Sequence, residues 1–124
     1  MYSKRVMDHF RKPRNMGEMD KPDVVGQLGN PVCGDVMKIY LKVGRGETWK
    51  KHVIEEISFQ TLGCVAAVAT TSIMTEMVKG KSFGEAKELS NQAIAEALDG
   101  LPPLKMHCSN LAADVLQKAM RDYK

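Results

Sequence analysis

Five side chains in this sequence could do metal or sulfur chemistry together. Cys33 and Asp35 stand in NPVCGD, Cys64 closes TLGC, and His107 with Cys108 ends KMHC. Three cysteines is an odd count, which argues against a disulfide framework. They lie 31 and 44 positions apart, unlike the closely paired ligands of zinc-finger motifs. Each falls at the end of an expected element. Cys33 sits in a turn shaped by Pro31 and Gly34 that enters a strand. Cys64 marks a strand-to-helix junction, and Cys108 just precedes the last helix. Sites gather at such ends on a rigid scaffold. The positive end of a helix also favours thiolate over thiol at Cys64 and Cys108.

If the three ends meet, Cys33, Cys64 and Cys108 supply three thiolates, with Asp35 and His107 as alternates for a fourth place. Asp35 qualifies because residues i and i+2 of an extended chain project to one side. His107 is the weaker candidate, since sequence neighbours normally point apart. Soft thiolates select zinc and iron–sulfur units. Four thiolates would close a durable site. Three leave the last position to a poorer partner, and the bound species is easier to release, which suits a carrier. Zinc held permanently by the same ligands is the competing reading, and colour separates the two. A Cys–His nucleophile at Cys108 and His107 is disfavoured, because adjacent residues do not easily pair as nucleophile and base.

The elements that must hold these residues are legible as periodicities. Tyr2 to Arg11 reads as a short helix with Val6, Met7 and Phe10 on one side, ended before Pro13. Arg14 to Asp23 reads as a loop, and Val24 to Leu28 as a short strand. Met37, Ile39, Leu41 and Val43 alternate with Lys38, Tyr40 and Lys42, the pattern of a half-buried strand. GRGETW then turns the chain into a returning strand, His52 to Gln60. From Cys64 the period becomes helical, with Ala67, Val68, Thr71, Thr75 and Val78 on one stripe and Gly80 as the stop. Ser82 to Glu88 is a short helical piece, and Ser90 caps a helix carrying Ile94, Ala95 and Leu98 that stops at Gly100. Beyond the stiff LPP, Leu111, Val115, Leu116, Ala119 and Met120 stripe a last helix that Ser109 could cap. Strands first and helices afterwards predict an α+β domain, a small antiparallel sheet of about three strands with helices on one face.

Composition removes several alternatives. The 124 residues suit one domain spanning 1–124, and 44% hydrophobic with 27% charged residues is ordinary for a globular protein. Eighteen basic less fifteen acidic residues leave +3, and aromatics are only 6%, so a nucleic-acid partner is not expected. No apolar run approaches the roughly 20 residues that span a bilayer, so no membrane partner is expected either. The basic start carries Asp8 and no small-residue cleavage pattern, so it reads as mature protein with the cytoplasm of a prokaryote as its address.

Taken together, these residues resemble the IscU/NifU-type iron–sulfur cluster assembly scaffolds along nearly the whole chain. YSKRVMDHFRKPRNMG resembles the family's N-terminal segment, and NPVCGDVMK, TLGCVAAVATTS and LPPLKMHCSNLA resemble its three ligand loops in order. The resemblance implies a non-catalytic scaffold on which a transient [2Fe–2S] cluster is built from iron and sulfur and passed to apo iron–sulfur proteins. It implies Cys33, Cys64 and Cys108 as ligands and sulfur acceptors, with Asp35 or His107 completing the set and zinc able to enter the same site. It implies a cysteine desulfurase as sulfur donor. It also implies Leu101, Pro102, Pro103, Leu104 and Lys105 as a docking motif for an Hsp70-type chaperone. Both a monomer and a dimer are compatible with it. Val65 stands where the family usually has a smaller residue, and Leu104 replaces the more usual valine. A subgroup with a long insertion before the third motif is not matched.

Overall fold

The structure is a computed structural model that describes residues 2–30 and 35–123. The expectations for Cys33 and for the side chain of Asp35 lie outside the described residues. Among the described residues, three strands form one antiparallel sheet in the order β1 (Val24–Asn30), β2 (Asp35–Gly44) and β3 (Val53–Leu62). The expected alternation places Met37, Ile39, Leu41 and Val43 in the core. Ile39 pairs with Phe59 and Leu41 with Ile57, so the buried side chains of β2 and β3 share one face.

The spacing from Ile57 back to Ile54 breaks this period of two. Lys42 pairs with Glu56 but Val43 pairs with Ile54, leaving Glu55 as an extra residue. A bulge of this kind lets residues of both parities face one core. The β2–β3 connection is longer than a tight hairpin and includes a 3₁₀ turn, Trp49–Lys51.

Helices α2 (Val65–Val78) and α5 (Met106–Asp122) cover the buried face, α5 against β1 and β2 and α2 against β3. The approach of α5 to the sheet is close enough to demand glycine. A Cβ on Gly26 would stand 2.9 Å from Ala119 Cβ and 3.1 Å from Val115 O. The C-terminal end of α5 is pinned by Trp49, whose Nε1 donates to Met120 O at 3.0 Å. Ser90 caps α4 (Asn91–Ala97) as expected, and Ser82 also caps α3 (Phe83–Lys87), with the Glu85 carboxylate accepting from Ser82 N in return.

Two expectations are corrected here. The α2 helix is not striped: every residue from Ala66 to Thr75 is buried, because α1 (Lys4–Arg11), α5 and the sheet surround it. Its threonine hydroxyls avoid an unmet-polar penalty by returning to the helix backbone, Thr71 to Ala67 O at 2.8 Å and Thr75 to Ser72 O at 2.7 Å. In α1 the inward residues are Val6 and His9, while Phe10 is 39% exposed. His9 turns inward because Ser72 offers it a buried polar partner. Among the described residues no helix is long and apolar enough to cross a membrane.

Candidate functional site

Cys64 is the residue from which α2 departs. Its backbone is extended (φ −86°, ψ −179°), and its carbonyl accepts from Val68 N at 3.2 Å. Its side chain makes no capping bond to the helix, so its sulfur is not committed to the backbone that follows. Val65 opens the helix and packs against the core, which accommodates the larger residue at this position.

The third segment reaches the site by a different route from the one its sequence suggests. Pro102 leads into a 3₁₀ turn, Pro103–Lys105, in which Lys105 N donates to Pro102 O at 2.8 Å. That turn runs directly into α5, which begins at Met106. Ser109 is therefore not a cap. It lies inside the first turn and donates to Met106 O at 2.8 Å. Cys108 belongs to the helix and is only 1% exposed, a member of the core rather than of an open loop. Cys64 is half-buried, and Leu104 is the most open apolar residue here at 88% exposed.

The two helix starts bring the two sulfurs together. Cys64 Sγ and Cys108 Sγ are 3.8 Å apart, and Cys108 Sγ is 3.5 Å from His107 Nε2. A tetrahedral metal with metal–sulfur bonds of about 2.3 Å separates neighbouring sulfurs by about 3.8 Å, and a nitrogen ligand at about 2.0–2.1 Å stands about 3.5 Å from a sulfur. Both observed separations match the edge lengths of such a tetrahedron. The orientation of the ring is set by Leu104 O, 3.0 Å from His107 Nδ1. A carbonyl can only accept, so Nδ1 carries the proton and Nε2 presents its lone pair toward the sulfur.

This geometry overturns the expectation that His107 and Cys108 point apart. It also removes adjacency as the objection to a Cys–His nucleophile. Burial of Cys108 now provides the objection, since a sulfur packed in the core has no room for a substrate carbonyl. Among the described residues, no group of three or more His, Cys, Asp or Glu side chains is closed into a ready metal site. The sequence-expected ligands that meet are therefore Cys64, Cys108 and His107, as two pairs sharing Cys108.

One positioning residue was not anticipated. Thr70 Oγ1 lies 3.2 Å from Ala67 O and 3.4 Å from Cys108 O, tying the starts of α2 and α5 together. Its signal in the sequence is that it opens a run of three hydroxyl residues, Thr70 to Ser72, after the apolar VAAVA that follows Cys64.

Known proteins resemble this chain in sequence and in fold. A family model described as the NifU-like N terminal domain matches residues 1–124. The chain is 57% identical over 123 residues to the iron–sulfur cluster assembly scaffold protein IscU 1 of Archaeoglobus fulgidus, covering 99% of this chain and 76% of that one. It is 47% identical over 126 residues to IscU of Escherichia coli strain K12, covering 99% and 94%. In three dimensions it superposes on a nitrogen-fixing NifU-like protein (N-terminal) from Brucella abortus with a TM-score of 0.70 at 19% identity, over 95% of this chain and 90% of that one. That last likeness concerns the fold.

Proposed function

The chain belongs to the NifU-like N-terminal domain family, and from that membership we propose that it is a scaffold on which a [2Fe–2S] cluster is assembled and from which it passes to apo iron–sulfur proteins. The observation that carries this reading is the 3.8 Å approach of Cys64 Sγ to Cys108 Sγ. These thiols come from two separate helix starts, and their spacing suits a soft tetrahedral metal. Cys33 is the third thiolate, and Asp35 or His107 supplies the fourth contact. Iron enters as cargo. Sulfur arrives as a persulfide from a cysteine desulfurase: a thiolate of this chain attacks the outer sulfur, the enzyme's thiolate leaves, and the sulfur stays here. Leu101 to Lys105 is the docking motif for an Hsp70-type chaperone that promotes release, and its exposed Leu104 supports that role. A cytoplasmic address is part of this reading.

Release depends on the weakness of the fourth partner. On this account Asp35→Ala yields a cluster that persists longer and transfers more slowly, with His107 taking the vacated position. Faster cluster loss in Asp35→Ala than in the unaltered protein would return Asp35 to the role of an ordinary ligand. The function itself is tested by anaerobic reconstitution with iron, cysteine and a desulfurase, followed by visible and Mössbauer spectra. The expected product is coloured and gives the spectrum of a [2Fe–2S] centre. A colourless protein that retains only zinc would overturn the proposal.

A further inference from the structure

We infer that Cys64 and Cys108 act as a resolving pair, releasing sulfide from a persulfide by closing a disulfide between themselves. The inference rests on the scaffold reading for the arrival of the persulfide and goes beyond it in assigning the next step. Its basis is an asymmetry between two touching sulfurs. Cys64 is half-buried and makes no capping bond, so an incoming sulfur donor can reach it. Cys108 is 1% exposed and lies 3.8 Å behind it. The outer thiol receives and the inner one resolves.

With every group written neutral, Cys64–S–SH reacts with Cys108–SH to give Cys64–S–S–Cys108 and H₂S. The new bond joins the two Sγ atoms, and the bond that breaks is the one from Cys64 Sγ to the delivered sulfur. That sulfur gains two electrons and becomes sulfide, the oxidation state an iron–sulfur cluster requires. The two cysteine sulfurs together lose two, so no external reductant takes part in this step. A dithiol reductant is needed afterwards to reopen the pair. A disulfide has a sulfur–sulfur bond of about 2.05 Å, so the resting pair closes by somewhat under 2 Å of relative movement. Rotation of the uncommitted Cys64 side chain supplies that movement. Holding the attacking thiol at contact distance replaces a bimolecular encounter and makes the internal reaction faster than attack by a dilute outside thiol. Burial of Cys108 keeps it from being captured by a donor before Cys64 is loaded.

The test uses the whole chain, iron-free and anaerobic, loaded with glutathione persulfide and then desalted. Released sulfide is followed over time, and peptides are mapped by mass spectrometry without reduction. The expected result is about one sulfide per loaded chain and a linked pair of peptides containing Cys64 and Cys108. In Cys108→Ser, sulfide release should slow by at least about tenfold, with the extra sulfur retained on Cys64. A loaded chain that keeps its persulfide, or one whose linked peptides join Cys33 instead, would overturn the inference while leaving the scaffold reading intact. A chain that takes up no sulfur at all would count against the scaffold reading itself and, with it, this step. If Cys108→Ser does not fold, the peptide map of the unaltered chain still decides.

Discussion

His9 Nδ1 and Ser72 Oγ lie 2.8 Å apart, joining α1 to α2 across 63 positions of sequence. Ser72 Oγ also accepts from Arg14 N at 2.8 Å, and the opposite ring nitrogen faces Glu76 at 3.5 Å. Since a carboxylate only accepts, the neutral ring carries its proton on Nε2, and Nδ1 accepts from the Ser72 hydroxyl. The N-terminal segment is thus latched to the helix that Cys64 begins.

This latch predicts a pH dependence of stability. Burial holds the pKa of His9 below the ordinary histidine value, helped by Arg14 and opposed by Glu76 and Asp8. The unfolded chain takes up a proton near pH 6.5 that the folded His9 resists. Stability is therefore full above about pH 6.5 and declines as the pH falls from there toward the lowered folded value. Urea unfolding at pH 7.5 and 5.5 checks this. The expected outcome is a lower midpoint at pH 5.5, with a smaller difference in His9→Gln, which is also less stable at pH 7.5.

The two described cysteines should separate stability from cargo binding. Serine at either position replaces a soft thiolate with a hard hydroxyl and should greatly shorten cluster retention. Cys64 is half-buried, so Cys64→Ser should change unfolding free energy by no more than about 0.5 kcal/mol. Cys108→Ser places a hydroxyl in the core and should cost about 1–3 kcal/mol. Denaturation curves of the apo forms, beside cluster absorbance of the loaded ones, measure both effects.

The contact of β1 with α5 predicts a non-additive pair. Gly26→Ala would push its new Cβ against Ala119 at 2.9 Å and should destabilise the fold by about 1–3 kcal/mol. Ala119→Gly alone costs about 1 kcal/mol as a glycine in a helix. Combined with Gly26→Ala it should cost less than the sum, because it removes the atom that clashes. A double-mutant cycle in urea reads this coupling directly.

The LPPLK segment predicts a separation of assembly from release. Leu104 points its side chain into solvent while its carbonyl holds His107 Nδ1. Truncating the side chain therefore leaves the ring's partner in place. Leu104→Ala and Lys105→Ala should reconstitute as well as the unaltered protein, yet respond less to an Hsp70-type chaperone in cluster transfer. Equal loss of both activities would mean that the segment only supports the site.

The strands and the helices after Cys64 were legible because each follows a short-range rule of period, cap or spacing. What escaped depends on tertiary partners. The Glu55 bulge shows only in the register between β2 and β3, and the inward turn of His9 in place of Phe10 needs Ser72, which is far away in sequence. Ser109 has the chemistry of a cap, but the turn from Pro103 to Lys105 starts the helix earlier and carries Cys108 into the core. Sequence spacing likewise gave no sign that His107 would reach back to its neighbour's sulfur.

On the proposed function the cluster is cargo, and a transfer experiment decides this. Reconstituted protein, freed of excess iron and sulfide, would be mixed with an apo-[2Fe–2S] acceptor in the presence of a strong iron chelator, and acceptor activation followed with loss of donor absorbance. The expected result is that the acceptor gains its cluster at the rate the scaffold loses it, with little iron captured by the chelator. Iron appearing in the chelator while the acceptor stays apo, or a cluster that stays on the chain, would contradict it.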